Sequence, residues 1–414
     1  VEPLRALHYD VDRLGALQDV LAPPYDVIDG AQRARLEARS PYNVVRIDLP
    51  VGEDRYQTAA RTLAEWRREG VIDRDSGPAV WPLEQIYTGP DGRERTRRGF
   101  LARVRIEEYG AGRIRPHELT HAAPKQDRLE LMRATKMNLS AIFSLYADPG
   151  GEVWRALDPA TDGSPWAEAT DDDGTVSRLW RTGDPATIAH IQRALGDIEL
   201  LIADGHHRYE TARAYAEEIG GEGEHRYVLM CLVALEDPGL TVFPTHRLLH
   251  GLRTDQHEAL AVALRRDFEI EELSDPSALA PLASDRVRFG YIDSHFRRPF
   301  MLTLKDPSIA DAALVGHAEP YRRLDTAVLE ALILRGALQM TDEDIDHLAM
   351  LRYARDFDEA LSQVQSGECD CAFFTAPPPM ALVQAVAAAG EHMPAKSTYF
   401  YPKVPTGLLF NRVG

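Results

Sequence analysis

Residues 197–218 read DIELLIADGHHRYETARAYAEE, and this stretch decides the fold. DIELLIA (197–203) is a short apolar run, as a buried strand requires, and YETARAYAEE (209–218) is rich in good helix formers. Asp204-Gly205-His206-His207-Arg208 must then turn the chain from strand to helix. Gly205 suits a tight turn and a close backbone approach. The unpaired N–H groups at the helix start, with the helix dipole, favour an anion. Arg208 adds a planar donor fork that fits phosphate. Asp204 is a candidate Mg2+ ligand or proton acceptor, and His206 and His207 are candidate acid–base groups. The bland alternative is an Asp N-cap beside two half-exposed histidines.

Around this core the pattern alternates. Helices are expected at about 30–39, 54–69 and 126–137. AVWPLEQIYTG and RRGFLARVRIEEY, within 78–110, alternate like antiparallel strands joined at Asp91-Gly92, a strong hairpin signal. SAIFSLYA and YVLMCLVAL (227–235) read as further strands, and VRFGYI, PFMLTL and CDCAFFTA alternate with helices over 250–390. The turn-rich stretch 147–174 reads as a surface excursion. The fold class is α+β, a mixed α/β chain with antiparallel pairing in its first half.

Composition narrows the function. The chain has 414 residues, enough for two or three domains, with 44% hydrophobic and 27% charged residues. Asp and Glu number 65 against 47 Lys and Arg, a net charge of −18 that disfavours a general nucleic-acid surface. Three cysteines, two of them in a C-x-C at 369–371, argue against a disulfide framework and suit a reducing cytosol, so a cytoplasmic location is expected. VEPLRALHYD (1–10) lacks the basic and apolar regions of a signal peptide, Val1 in place of Met suggests trimming or a cut boundary, and no apolar run is long enough to span a membrane.

Three other constellations carry chemistry. His117-Glu118-Leu119-Thr120-His121 matches H-E-x-x-H, but Pro116 and Pro124 bracket it and deny it the long helix a zinc protease needs. The expectation is therefore no zinc, with Glu118 as a carboxylate on an irregular segment. Lys125 and Arg128, in PKQDR (124–128), read either as a phosphate clamp or as a solvated basic helix. Near the end, Lys396 and Lys403 flank Tyr399, Phe400 and Tyr401, which suits phosphates and a stacked base, or equally a packed terminal strand. A P-loop, a clear G-x-G-x-x-G after a strand and a nucleophile elbow are all missing.

Six motifs together resemble one family: LAPPYDVI (21–28), SPYNVVRIDLP (40–50), PHELT with PKQDRL (116–129), IADGHHRYETA (202–212), EDPGLTVFPTHRLL (236–249) and MPAKSTYFYPKVPTGLLFN (393–411). The chain is identified on these motifs, from about residue 2 to 412, as a member of the domain-of-unknown-function 1015 family. DGHHRYETA also resembles, more distantly, the G-x-x-R box of ParB/sulfiredoxin-like nucleotide-binding proteins, which include free-serine kinases. That resemblance implies a ParB/sulfiredoxin-like core with additional mixed-sheet and helical elements. It carries the phosphate-holding box onto Asp204, Gly205, His206, His207 and Arg208, and suggests Glu118, on no aligned motif, as the base on a substrate hydroxyl.

These readings converge on a nucleotide-dependent phosphotransferase acting on a small hydroxylated metabolite, free serine first. ATP or ADP and Mg2+ are the expected cofactors, with Asp204 as metal ligand and Lys125, Arg128, Gly205, Arg208, Lys396 and Lys403 on the phosphates. A homo-oligomer is allowed, and no membrane partner is expected. The rivals are a ParB-like nucleotide-binding regulator and a phosphatase on a metabolite such as phosphoserine. The expected organisation is a catalytic region over 1–250, with its box at 198–218, and a second α/β region over 251–414 whose segment 394–412 packs back on the site.

Overall fold

Period-two alternation over residues 81–105 builds the centre of the first sheet. In a computed structural model, which describes residues 1–89, 92–118, 122–281 and 284–414, Trp81–Thr88 (β1) pairs antiparallel with Glu94–Arg105 (β2), from Trp81 opposite Leu101 to Thr88 opposite Glu94. Of the hairpin signal, Asp91 lies outside the described residues; Gly92 has a φ of 73°. Six more strands complete the sheet: Ile114–Arg115 (β3), Ile142–Tyr146 (β4), Ala167–Thr170 (β5), Val176–Leu179 (β6), Leu200–Asp204 (β7) and Tyr227–Ala234 (β8). Their order is β3-β7-β4-β8-β2-β1-β6-β5. β7 runs parallel to β3 and antiparallel to β4, and β8 runs parallel to β4, so the sheet is mixed.

Alternate positions along these strands separate two faces. One face gives Phe100, Ile142, Ile202, Met230 and Leu232 to a core that also takes Tyr209 and Tyr215 from a covering helix. Each such buried side chain contributes roughly 1.5–3 kcal/mol. That helix, His206–Ile219, packs beside Ala122–Thr135, and a further helix, Arg55–Arg68, contacts the latter. In chain order these are α1 (55–68), α2 (122–135) and α3 (206–219). Gly30–Arg39 is also helical, as expected. The stretch 147–174 is more than an excursion: it holds the helix Glu152–Leu157 and the edge strand β5. Its Gly, Pro and Asp clusters punctuate short elements that periodicity alone does not resolve.

The chain separates into two units. The first holds residues 1–116, 122–241 and 402–414; the second holds 117–118 and 242–401. The second unit is built on an all-antiparallel sheet of six strands: His246–Leu249 (β9), Phe268–Glu272 (β10), Arg288–Asp293 (β11), Phe300–Leu304 (β12), Leu351–Ala354 (β13) and Cys371–Phe374 (β14). Their order is β10-β12-β11-β14-β9-β13. Leu248, Ile292, Ala372 and Phe374 form a core on it. Mixed in the first unit and antiparallel in the second, the protein is of the mixed α/β class. All three cysteines are buried and unbridged. No helix among the described residues is long and apolar enough to cross a membrane.

Candidate anion-binding site

The end of β7 is irregular. Ile202 sits opposite Ser144, yet Asp204 sits opposite Phe143, so Ala203 is an extra residue in the strand. Such a bulge re-aims the side chains that follow it. Gly205 then takes a φ of 98° and a ψ of 28°, which L side chains rarely adopt, and α3 begins at His206. The turn expected from the sequence is thereby present. His206 is buried in the helix's first turn and His207 is half-buried.

Asp204 is gripped by two cations. Arg208 Nη2 donates to its Oδ2 at 2.6 Å, and Lys403 Nζ donates to its Oδ1. Arg208 Nη1 also donates to the Ala141 carbonyl. The side chains are 11% exposed for Arg208 and 14% for both Asp204 and Lys403, so this charge cluster is largely desolvated. Two cations meet one carboxylate beside a helix N-terminus, in a chain that is strongly acidic overall, and the buried Asp48 also lies in the field of Arg208. The helix start and the paired cations make this turn a candidate anion site. The pairing also bears on the metal expected at Asp204. Both carboxylate oxygens already accept from cations, and a divalent ion there would stand beside Lys403 and Arg208, so Asp204 does not fit as a Mg2+ ligand. Among the described residues no group of three or more His, Cys, Asp or Glu could hold a metal.

The neighbouring residues divide by role. Arg128 is buried and its fork is already used: Nε and Nη2 donate to Asp127 Oδ2 at 3.0 and 2.6 Å, and Nη1 donates to the Asp48 carbonyl at 2.6 Å. It lies over the Tyr25 ring, 4.3 Å from the centroid. Burial drives the Tyr25 hydroxyl up to about 12, against the fields of Arg208 and Arg128. Burial likewise raises the Asp48 carboxyl, although Arg128 and Arg208 pull it down. Arg128 thus ties the LAPPYDVI and SPYNVVRIDLP motifs to α2 and does not present a free clamp. Both arginines line a cavity of about 40 Å³, together with Asp48, Ser140 and Thr211 among others. It has room for a few water molecules. Lys125 pairs with Glu210 at 2.8 Å, one turn into α3.

Glu118 and Lys396 belong to the second unit. His117 and Glu118 precede α2 and are not helical, so these two residues do not begin a zinc-protease helix; His121 lies outside the described residues. His117 is fully buried, and its Nε2 is 2.8 Å from Thr398 Oγ1. Glu118 Oε1 accepts from the Thr398 N–H at 3.3 Å and from its hydroxyl at 3.1 Å, and its side chain is 17% exposed. Lys396 is exposed, with a φ of 57°.

Arg97 and Gln85 were not expected at the site. Gln85 Nε2 donates to the Lys403 carbonyl at 3.0 Å, and Arg97 Nη2 donates to Gln85 Oε1. No sequence signal set Arg97 apart, since Glu94–Arg105 holds four other arginines.

No curated protein matches the chain in sequence. Among solved structures, a free serine kinase in complex with AMP is 14% identical with a TM-score of 0.38, over 74% of this chain and 92% of that one. A conserved hypothetical protein from Pyrococcus furiosus is 15% identical with a TM-score of 0.37, over 74% and 95%. SbnI with a C-terminal truncation, from Staphylococcus aureus, is 12% identical with a TM-score of 0.38, over 74% and 85%. In sequence, a family profile matches residues 1–327, a span that includes β1 to β8, the bulge, the 204–208 turn and most of the motifs quoted above. The chain belongs to the family described as protein of unknown function, DUF1015.

Proposed function

We propose that the first unit binds the phosphates of a nucleotide and that the protein transfers a phosphoryl group to a small hydroxylated metabolite, free serine being the first candidate. The observation that carries this reading is the convergence of Arg208 and Lys403 at the positive end of α3. Phosphoryl transfer asks mainly for positioning and charge neutralisation, which such a cradle supplies. In the transfer, the acceptor oxygen forms a bond to phosphorus, the donor's bridging P–O bond breaks, and the acceptor's hydroxyl proton leaves to a carboxylate. Glu118 is the residue assigned to that proton. Mg2+ enters only as the nucleotide's counter-ion, with no protein ligand assigned.

One observation favours a second reading. Asp204 is held as a counter-ion and His206 is buried, so the box itself offers binding more readily than chemistry. A nucleotide-binding regulator would need no more than this. The deciding experiment titrates AMP, ADP and ATP against the protein by calorimetry and thermal shift, with and without Mg2+ and L-serine, and examines products by mass spectrometry. A ligand at 100 times its dissociation constant should add about 2.7 kcal/mol of stability. Phosphoserine formed from serine and a nucleotide supports the transferase. Binding or hydrolysis indifferent to serine favours the regulator, and no response to any nucleotide removes both.

A further inference from the structure

The sheet face opposite the first unit's core is partly polar. Gln85 on β1, Arg97 on β2 and Ser177 on β6 lie on it, each at most 4% exposed. Arg97 is 1% exposed, and its guanidinium lies over the Phe143 ring, 4.3 Å from the centroid. Phe143 is the residue opposite Asp204 across β4 and β7. Arg97 Nη2 is taken by Gln85, but Nη1 is buried and has no hydrogen-bond partner.

The same residues run into the cradle. Gln85 holds the Lys403 carbonyl while Lys403 Nζ holds Asp204. The field of Asp204 reaches Arg97, as do those of Cys231, Tyr87 and Asp237. Asp237 does not close the gap, because its carboxylate accepts from the Gly239 N–H at 2.9 Å and the Arg98 N–H at 3.3 Å. A buried guanidinium with an unmet donor is costly, because the desolvation of its charge is not fully repaid. Function is the ready reason to keep it.

We infer that Arg97 is a second anion subsite of the cradle, its Nη1 receiving an oxyanion of the bound ligand beyond the group held by Arg208 and Lys403. The inference rests on the proposed nucleotide reading and deepens it: the ligand carries two anionic groups on this face. The second group is either a further phosphate of the nucleotide or the carboxylate of the acceptor. Both offer the planar or tetrahedral oxygens that a guanidinium fork binds.

The test uses the full chain with Arg97→Met and Arg97→Lys, titrated with AMP, ADP, inorganic pyrophosphate, and L-serine in the presence of ADP. Arg97→Met should fold with a modest loss of stability, because it strands the buried Gln85 Oε1. If the oxyanion is a phosphate, the preference for ADP over AMP falls at least tenfold; if it is a carboxylate, serine affinity falls tenfold while ADP is unaffected. Should Arg97→Met fail to fold, Arg97→Lys keeps the charge without the fork and should show the same selective loss. Wild-type affinities for all four probes in a folded variant overturn the subsite. If wild type binds no nucleotide, the proposed function fails on its own; the subsite then stands only if pyrophosphate binds and Arg97→Met weakens it tenfold.

Discussion

Substituting Gly205 by Ala tests the cradle at its tightest point. A Cβ there meets two obstacles. The backbone φ of 98° is disfavoured for an L residue, at about 1–2 kcal/mol. The new carbon also lies 3.0 Å from Cζ, Nε and Nη2 of Arg208, tighter than ordinary contact. The guanidinium cannot simply swing away, because Asp204 and the Ala141 carbonyl hold it. Displacing it weakens a charge-assisted hydrogen bond worth about 1.5–3 kcal/mol. Gly151, which precedes the helix Glu152–Leu157, is the control: with a φ of 63° and a ψ of 30° it is left-handed too, and a Cβ there meets nothing within 4 Å. Gly205→Ala should therefore cost about 1–3 kcal/mol more than Gly151→Ala. The assay is built in, since all five tryptophans, at 66, 81, 154, 166 and 180, lie in the first unit. Their fluorescence during urea unfolding reports that unit alone. ADP affinity should fall with Gly205→Ala and not with Gly151→Ala. Equal costs for the two variants, or undiminished ADP binding in Gly205→Ala, would refute the claim that Arg208 is held rigidly at the turn.

Other outcomes follow from the same geometry. Arg208→Ala should lose one to two decades of ADP affinity and, because the side chain is nearly buried and doubly bonded, about 1.5–3 kcal/mol of tryptophan-reported stability; unchanged stability would show those bonds to be idle. The sequence marks Arg208 only as a fork that fits phosphate, and the bonds to Asp204 and Ala141 add a structural role. Glu118→Gln should leave ADP binding intact and slow phosphoryl transfer by about two to four decades, whereas full turnover would place the base elsewhere. In the second unit, burial holds the His246 imidazole near a pKa of about 4, below its ordinary 6.5, with Arg247 adding to the effect. The unfolded chain then binds the proton more readily than the fold does, so stability is full above pH 6.5 and is lost as pH falls from there towards 4. Hydrogen exchange of the β9 amides should show that loss, and His246→Gln should flatten it; an identical acid profile in the variant would exclude His246 as the cause.

The 204–208 turn, its strand and its helix were readable because their signals are local: an apolar run, a glycine and helix formers occur within 22 residues. The β1–β2 pair was readable for the same reason. Arg97 was not, since β4 and β8 stand between its strand and that of Asp204. Period-two alternation marks Arg97 only as one more strand residue. Arg128 was read as a clamp because sequence shows a cation and conceals its partners, here Asp48, 80 residues away, and Tyr25. The bulge at Ala203 left no mark, because an extra residue is defined only against the partner strand.

Lys403 is joined to the polymer 199 residues after the carboxylate it grips. At roughly 5–20 residues per second, a ribosome leaves Asp204 and Arg208 without that lysine for roughly 10–40 s, while the whole 242–401 unit is being made. Until then the nascent first unit presents its bulged strand and an arginine–aspartate pair of balanced charge. The second cation on Asp204 arrives only when the returning segment docks. On the proposed reading, a ribosome-bound chain halted before residue 403 should fold its sheet yet bind nucleotide more weakly than the whole chain.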